Sequence, residues 1–490
     1  MKQPFLTDFP THLIASDVRR FQAQMQRVAD EIAERSLSGY SVLFEDILPG
    51  DFLDSIDPTS RQRSFGQVKV FWAWLAQVLD KNASCQKALG LIQSWCQAHK
   101  LPIPSSDTSS YCKARGRVDI EFLQAIHERI CAGLASRTRP SDLWRGFTLK
   151  AIDGSSVQLM DTAENQAEYP QPSEQKPGCG FPTMGIVGLL NISNGAWEHF
   201  HACKFTQHDS KSAVALLPHL GSNDLLLADR AFCTYELIAR IRARGAHVLM
   251  RLHQAREAAL DWGRGEAVSP NERLVTWTRP DGRRSTTLTQ EEWDELPESI
   301  TLRIIKVPYR RRDGVLSELI VVTSLTDAAT YPAHEVAALY ARRWDIELRL
   351  RDLKTTLRME RFEVKTPEMA RKMLHVCMIS INLVRSIMQR AAALDGIPTS
   401  CLSFKGVLDL VVASHEGFRI YAGHPRNRHD ALAVLIDTCA GKLINQRQGR
   451  REPRAVKRRP KNFQMLTTHR SVFVQSGREI PHRNRYRKNA

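Results

Sequence analysis

YARRWDIELRLRDLK, residues 340–354, runs an apolar stripe through a strongly cationic segment. With its flanks, Leu339, Ile346, Leu350, Leu353 and Leu357 recur at steps of seven, four, three and four, the spacing of an amphipathic helix with one buried face. At about 100° per residue, Tyr340, Arg343, Glu347 and Lys354 share a second face, roughly 75° round from the stripe. That face lies at the margin of core and solvent, where the packed stripe holds a carboxylate, two cations and a phenol in place beside it. The same spacing predicts plain i,i+4 ion pairs, Arg343 with Glu347 and Glu347 with Arg351, and on spacing alone the helix reads as a solvated face.

Upstream, two aspartates fall at the ends of predicted strands. From Phe147 the apolar pattern switches to period two, and FTLKAIDGS, 147–155, predicts a strand that stops at Asp153. MGIVGLLNI, 184–192, and WEHFHACKF, 197–205, predict the next two strands, joined antiparallel through the SerAsnGly of 193–195, and a helix follows near 209–220. LLLADRAF, 225–232, is a short apolar run of the buried-strand type with Asp229 at its end. A helix over 233–244 and a strand over 247–252 come next. Residues 255–318 turn polar and rich in Arg, Trp, Thr and Pro, with strand-like pieces at 274–278 and 300–307, which predicts a mainly β insertion. LIVVTSL, 319–325, returns as a strand ahead of the 340–354 helix.

Tyr340, Arg343, Glu347 and Lys354 match without a gap the Tyr-(2)-Arg-(3)-Glu-(6)-Lys signature of bacterial transposases of the insertion-sequence-four type, and the chain resembles that family. The Arg343–Trp344 pair and LKTTLRMERFEVKTPE, 353–368, resemble it too. So do Asp229, Phe232, Tyr235 and Arg251, which echo its second motif, and TSSYCKAR, 108–115. The resemblance implies an α/β core of ribonuclease-H-like type, a mixed sheet flanked by helices, with a mainly β insertion between the second Asp and the Glu and with helical N-terminal and C-terminal regions. It implies an Asp-Asp-Glu catalytic triad, which falls here on Asp153, Asp229 and Glu347. Better-studied relatives carry a base-stacking Trp at the head of the last strand; Leu319 stands there in this chain, so that role is not carried over. Trp277, the nearby aromatic, reads as a packed Trp in a small sheet.

The flanks divide the chain further. Helical spacing at 16–36, 66–80, 84–99 and 118–136 predicts an all-helical N-terminal region, 1–140, with a capping stretch at 102–109 leading into YCKARGR, 111–117. Lys113, Arg115 and Arg117 are its candidate phosphate contacts. The core is then expected over 141–254 and 319–395, interrupted by the insertion of 255–318. A helical C-terminal region with a basic tail follows over 396–490. The chain carries 69 Lys and Arg against 53 Asp and Glu, but 15 of those cations and only two of the acids lie in 441–490, leaving 54 against 51 elsewhere. A tail of that density suits DNA backbone contact or a solvated end equally well.

At 490 residues the chain exceeds one compact core. No apolar run approaches the roughly 18 residues of a membrane span, and the start MKQPFLTDFP carries Pro and Asp where a signal peptide is apolar, so a cytoplasmic, bacterial location is expected. Ten cysteines without a CxxC pair indicate free thiols rather than a zinc site or a disulfide framework. HisPheHis, 199–201, sets two imidazoles on one strand face without a third ligand.

These readings converge on an Mg²⁺-dependent strand transferase, with Mn²⁺ as a substitute, acting on the terminal inverted repeats of its own element and on target DNA as a homodimer. Asp153, Asp229 and Glu347 are its expected ligands for a two-metal site, and Tyr340, Arg343 and Lys354 its phosphate contacts. A ribonuclease-H-like nuclease or resolvase and a non-catalytic DNA-binding relative are the alternatives.

Overall fold

In the computed structural model, which describes residues 37, 39–57, 64–80, 84–282, 287–310, 315–357, 359–421 and 423–444, a ten-stranded sheet organises the chain. The predicted helix at 16–36 and the basic tail beyond residue 444 lie outside the described residues. The strands are β1 (Thr148–Leu159), β2 (Thr183–Asn191), β3 (Trp197–Lys204), β4 (Asp224–Ala228), β5 (His247–Arg251), β6 (Glu266–Ser269), β7 (Glu272–Thr278), β8 (Ser299–Arg310), β9 (Leu316–Thr323) and β10 (Arg361–Phe362). The order is β3-β2-β1-β4-β5-β9-β8-β7-β6, with β10 also pairing β1. β1, β4 and β5 run parallel, while β2 and β3 are antiparallel hairpin partners, and this five-strand half is the ribonuclease-H-like arrangement. β6, β7 and β8, from the predicted insertion, continue the same sheet by way of β9, which pairs with both β8 and β5.

β1 runs past the expected stop. Its pairing with β4 covers Thr148–Ala151, but its antiparallel pairing with β2 persists to Gln158, and β10 takes up its open edge at Gln158 and Leu159. Gly154, a turn signal in the sequence, is here a strand residue whose missing side chain makes room. A Cβ on it would lie 2.1 Å from an Asp209 carboxylate oxygen.

Helices of eight residues or more are labelled α1 (Gln67–Leu79), α2 (Cys85–Ala98), α3 (Ser109–Arg117), α4 (Ile120–Ser136), α5 (Tyr235–Ala243), α6 (Ala333–Ala341), α7 (Trp344–Arg351), α8 (Pro367–Leu394), α9 (Phe404–Ile420) and α10 (Pro425–Ala440). Strand alternation divides the core into two clusters. Leu149, Ala151, Leu225, Leu227 and Leu249 face the N-terminal helices and α8, whereas Ile152, Leu226, Ala228, Val248 and Met250 face α5. The predicted helix at 209–220 is one turn, Asp209–Ser212, running into a 3₁₀ segment through His219 that contains Pro218.

Buried polar side chains tie the helical region to the sheet. Asn382 on α8 accepts from Trp197 N at 3.0 Å and donates to Trp197 O at 2.9 Å, while His127 on α4 meets the same carbonyl at 2.9 Å. His199 stacks on His219 with ring centroids 3.4 Å apart. Burial pulls His127 and His375 down to about 4. Burial, then His219, His127 and Lys150, pull His199 down to about 3. These values lie below the ordinary imidazole value of about 6.5. The stability the three supply is therefore present above about pH 6.5 and is lost as pH falls toward 4. Asp153, pushed up to about 6, and Asp209, also raised by burial, act with the opposite sign, while His201, His219 and His247, pulled down by burial, add to the imidazole side. Urea unfolding midpoints are expected to fall between pH 7 and pH 4.5; a flat profile across that window counts against the assignment.

Candidate active site

Asp153 and Asp229 come together through strand register. Ala151 pairs with Leu227 across the parallel β1 and β4, and continuing that register two steps sets Asp229 beside Asp153. Neighbouring strands lie about 4.8 Å apart, so the two carboxyls share one end of the sheet. Asp153 Oδ1 accepts from Gly154 N at 2.8 Å, and Asp229 Oδ1 accepts from Ala231 N at 2.6 Å, capping the 3₁₀ turn Arg230–Phe232. Main-chain donors thus hold each aspartate in a fixed orientation.

The 340–354 segment is not one regular helix. α6 ends at Ala341, and Arg342 N and Arg343 N bond three residues back, to Leu339 O and Tyr340 O, before α7 begins at Trp344. After Arg351 the chain widens into a π turn, Asp352–Thr356, a departure frequent at functional sites. The tightening before α7 and the widening after it replace the single face read from a 100° step. Tyr340 is buried and its hydroxyl lies 3.5 Å from Ala228 O, to which it donates, on the residue before Asp229. Arg343 is buried and donates from Nη2 to Glu347 Oε1 at 2.8 Å, the predicted i,i+4 pair, while the Glu347 side chain stays 44% exposed. Beside them Trp344 is exposed, its ring centroid 5.6 Å from the Arg343 guanidinium. Lys354, on the π turn, lines a cavity of about 540 Å³ with Gly154, Ser155, Lys204, His208 and Asp209.

The electrostatics show which of these groups feel one another. Burial pushes Asp153 up to about 6; the Gly154 N–H and Arg343 oppose this, and Asp229 and Glu347 add to it. Tyr340 is pushed up to about 12, first by burial, with Arg343 and Arg251 pulling down and Asp229 pushing up. Asp209 is raised by burial and by Asp229, with His208 opposing. Four acids, Asp153, Asp209, Asp229 and Glu347, and two guanidinium groups therefore converge on one region of the sheet. Arg343 Nε and Arg251 Nε are both buried with no hydrogen-bond partner among the described residues.

Sequence reasoning missed Asp209, since one acid heading a short helix carries no periodic signal. It also treated Arg115 as an outward cation. Lys113 and Arg117 on α3 are exposed, but the Arg115 guanidinium turns inward, 5.4 Å from the Trp74 ring centroid and 5.1 Å from that of Tyr111. Trp277 is packed, with the Arg256 guanidinium 3.9 Å over its ring.

A divalent metal suits the donor set in kind, because carboxylate oxygens are hard ligands and an acid held near 6 by burial and two other acids gains from a nearby cation. As the side chains stand, no group of three His, Cys, Asp or Glu among the described residues is disposed to hold a metal. Glu347 is turned to Arg343 instead.

A ribonuclease-H-like sheet presenting two strand-borne aspartates and a helix-borne glutamate at one end has the architecture of the enzymes that break and join polynucleotides. Residues 144–383 match the family of the transposase DDE domain, and the chain belongs to it: this is a DNA transposase of the IS4 type. It is 24% identical over 430 residues to transposase InsG for insertion sequence element IS4 of Escherichia coli (strain K12), spanning 84% of this chain and 92% of that one. It is 22% identical over 140 residues to the putative transposase InsZ of the same organism, spanning 28% of this chain and 47% of that one. A cryo-EM structure of a piggyBac transposase synaptic complex with hairpin DNA superposes with a TM-score of 0.43 at 9% identity, covering 85% of this chain and 87% of that chain. DDE transposases in general use a divalent metal. Among the described residues no helix is long and apolar enough to cross a membrane.

Proposed function

We propose that this transposase cuts DNA at the terminal inverted repeats of its own element and joins the freed 3′ ends to target DNA, with Asp153, Asp229 and Glu347 as the triad. The observation that carries this reading is the coupling of Asp153 to Asp229, Glu347 and Arg343, residues far apart in sequence that meet at one sheet end. The three carboxylates would hold Mg²⁺, or Mn²⁺ in its place, as a pair of ions that supply Lewis-acid charge to the attacking and leaving oxygens. Glu347 reaches that state by releasing Arg343, whose planar fork then serves a phosphate of the DNA. Tyr340, pushed up to about 12, keeps its proton at neutral pH and remains a donor. Lys354 contributes a point charge from the cavity wall. Lys113 and Arg117 on α3, together with the basic tail, contact the DNA backbone, and two copies of the chain bring the two ends together.

Incubating the protein with linear DNA bearing the element ends, Mg²⁺ and a target plasmid is expected to give covalent insertion of the 3′ ends. Cleavage without joining supports a nuclease or resolvase; binding with neither supports a non-catalytic protein. Arg343→Ala and Lys354→Ala are expected to slow cleavage by up to about 100-fold, the scale of a phosphate displaced by about an ångström. Full activity in either variant removes that residue from the phosphate contacts.

A further inference from the structure

The mechanism makes no use of a pair of thiols in the N-terminal helices. Cys85 opens α2 and Cys112 lies on α3, and their sulfurs are 3.9 Å apart although 27 residues separate them in the chain. Cys112 is exposed and Cys85 half-buried. Both are held in place: Arg115 Nη2 donates to Cys85 Sγ at 3.8 Å and to Cys112 Sγ at 3.6 Å, and Gln77 Nε2 donates to Cys85 Sγ at 3.5 Å. Gln77 is itself fixed, accepting from the Tyr111 hydroxyl at 3.0 Å. Five of the other cysteines are buried.

We propose that Cys85 and Cys112 are a redox modification site, a dithiol that a peroxide converts to a disulfide joining α2 to α3. The exposed Cys112 sulfur attacks the peroxide O–O bond, forming a sulfenic acid and releasing one water. Cys85 sulfur then attacks the sulfenic sulfur, the S–S bond forms as the S–O bond breaks, and the hydroxyl leaves with the thiol proton as a second water. Two electrons pass from the two sulfurs to the peroxide, and no further reactant is needed. The sulfurs must close from 3.9 Å to the roughly 2.05 Å of a disulfide, a shift that rotation of two short side chains supplies in large part. Burial and the neighbouring Cys85 push the Cys112 thiol up while Arg115 pulls it down, so the first step is expected to quicken as pH rises from 7 to 9.

The test treats the full-length chain with stoichiometric hydrogen peroxide, caps the remaining thiols with iodoacetamide and maps peptides by mass spectrometry without reduction. The expected result is loss of two of the ten free thiols, a linked peptide containing Cys85 and Cys112, and full reversal by dithiothreitol. The oxidised chain is also expected to melt at a higher temperature than the reduced one, because the bridge closes a long loop of the unfolded chain. Cys85→Ser is expected to stop at a sulfenic or more oxidised Cys112, and Cys112→Ser to lose no thiol pair. A different linked pair, or two thiols lost at the parental rate from either serine variant, overturns the proposal. So does terminal oxidation of Cys112 in the parent with no linkage. None of these readouts involves DNA cleavage, so the outcome is independent of the transposition reading.

Discussion

Asp153→Asn, Asp229→Asn and Glu347→Gln are each expected to abolish cleavage of element ends while leaving binding to those ends intact. Each substitution keeps side-chain volume and removes a negative oxygen ligand, so the loss should exceed the 10- to 100-fold typical of a residue that only supports a ligand. The fold should survive in all three, and for Asp153 the structure gives a sharper expectation. Its carboxyl is pushed up to about 6, above the ordinary aspartate value near 3.9, so above about pH 4 the ionised group opposes folding. Asp153→Asn should therefore be catalytically dead and at least as stable as the parent at pH 7.5. Glu347→Gln gives up one half-exposed ion pair, which is expected to cost less than about 1 kcal/mol. Cleavage assays, gel-shift binding and urea unfolding on the same preparations separate the possibilities. Retained cleavage strikes a residue from the triad, and lost cleavage with lost stability assigns it to the fold instead.

Asp352→Ala should have the largest effect on stability. Asp352 opens the π turn that carries Lys354, and Arg385 on the long buried helix α8 donates from Nη2 to its Oδ2 at 2.7 Å. The Arg385 side chain is 1% exposed, its guanidinium 4.7 Å from the Phe404 ring centroid, and Arg349 approaches the same Asp352 oxygen at 3.6 Å. Burial, then Arg349, pull Arg385 down to about 9, with Asp352 opposing. Removing the one acid leaves two guanidinium groups facing each other, one of them fully buried. The expected loss is about 3–5 kcal/mol, the range for a buried pair broken from one side. Adding Arg385→Met, which removes the stranded charge, should restore part of it. A loss under about 1 kcal/mol from Asp352→Ala alone would show that Arg385 finds another partner. Because Lys354 sits two residues along the same turn, the single variant is also expected to loosen the cavity wall beside Gly154.

The sequence was most informative where burial is local. Leu225, Leu226 and Leu227 form an uninterrupted apolar run because β4 is covered on both faces, and Asp229 stands out by ending it. Asp153 was found for a partly mistaken reason. Its strand does not stop there, and Gly154 is a clearance for Asp209, a contact between residues 55 places apart that no local pattern records. In 340–354, apolar steps of seven, four, three and four fit a straight helix. They fit equally well a helix tightened at Arg342 and widened at Asp352, because the two distortions leave Ile346 and Leu353 buried. Arg115 counted as a cation; Tyr111 lies one turn before it on α3, but Trp74, which also draws it inward, is visible only once α1 and α3 pack. The polar residues on α8 were unreadable for the same reason: Asn382 and Arg385 look out of place in a buried helix until Trp197 and Asp352 are seen to receive them.

The sheet carries its acids on β1 and β4 and its insertion strands on the side beyond β9. Asp229 follows the end of β4 and Asp153 stands beside it within β1, whereas β8, β7 and β6 extend the sheet sideways beyond β9, each antiparallel to its neighbour. Hairpins along that side widen the sheet without moving the β1 and β4 positions where the acids stand. Shortening it is another matter. Removing β6 to β8 would strip β9 of its outer partner and leave a row of unmet amides and carbonyls along a strand that is buried at Val321 and Val322, an invitation to pair with another chain. The breadth of the sheet is therefore easier to extend than to shorten, while Asp153 and Asp229 keep their places.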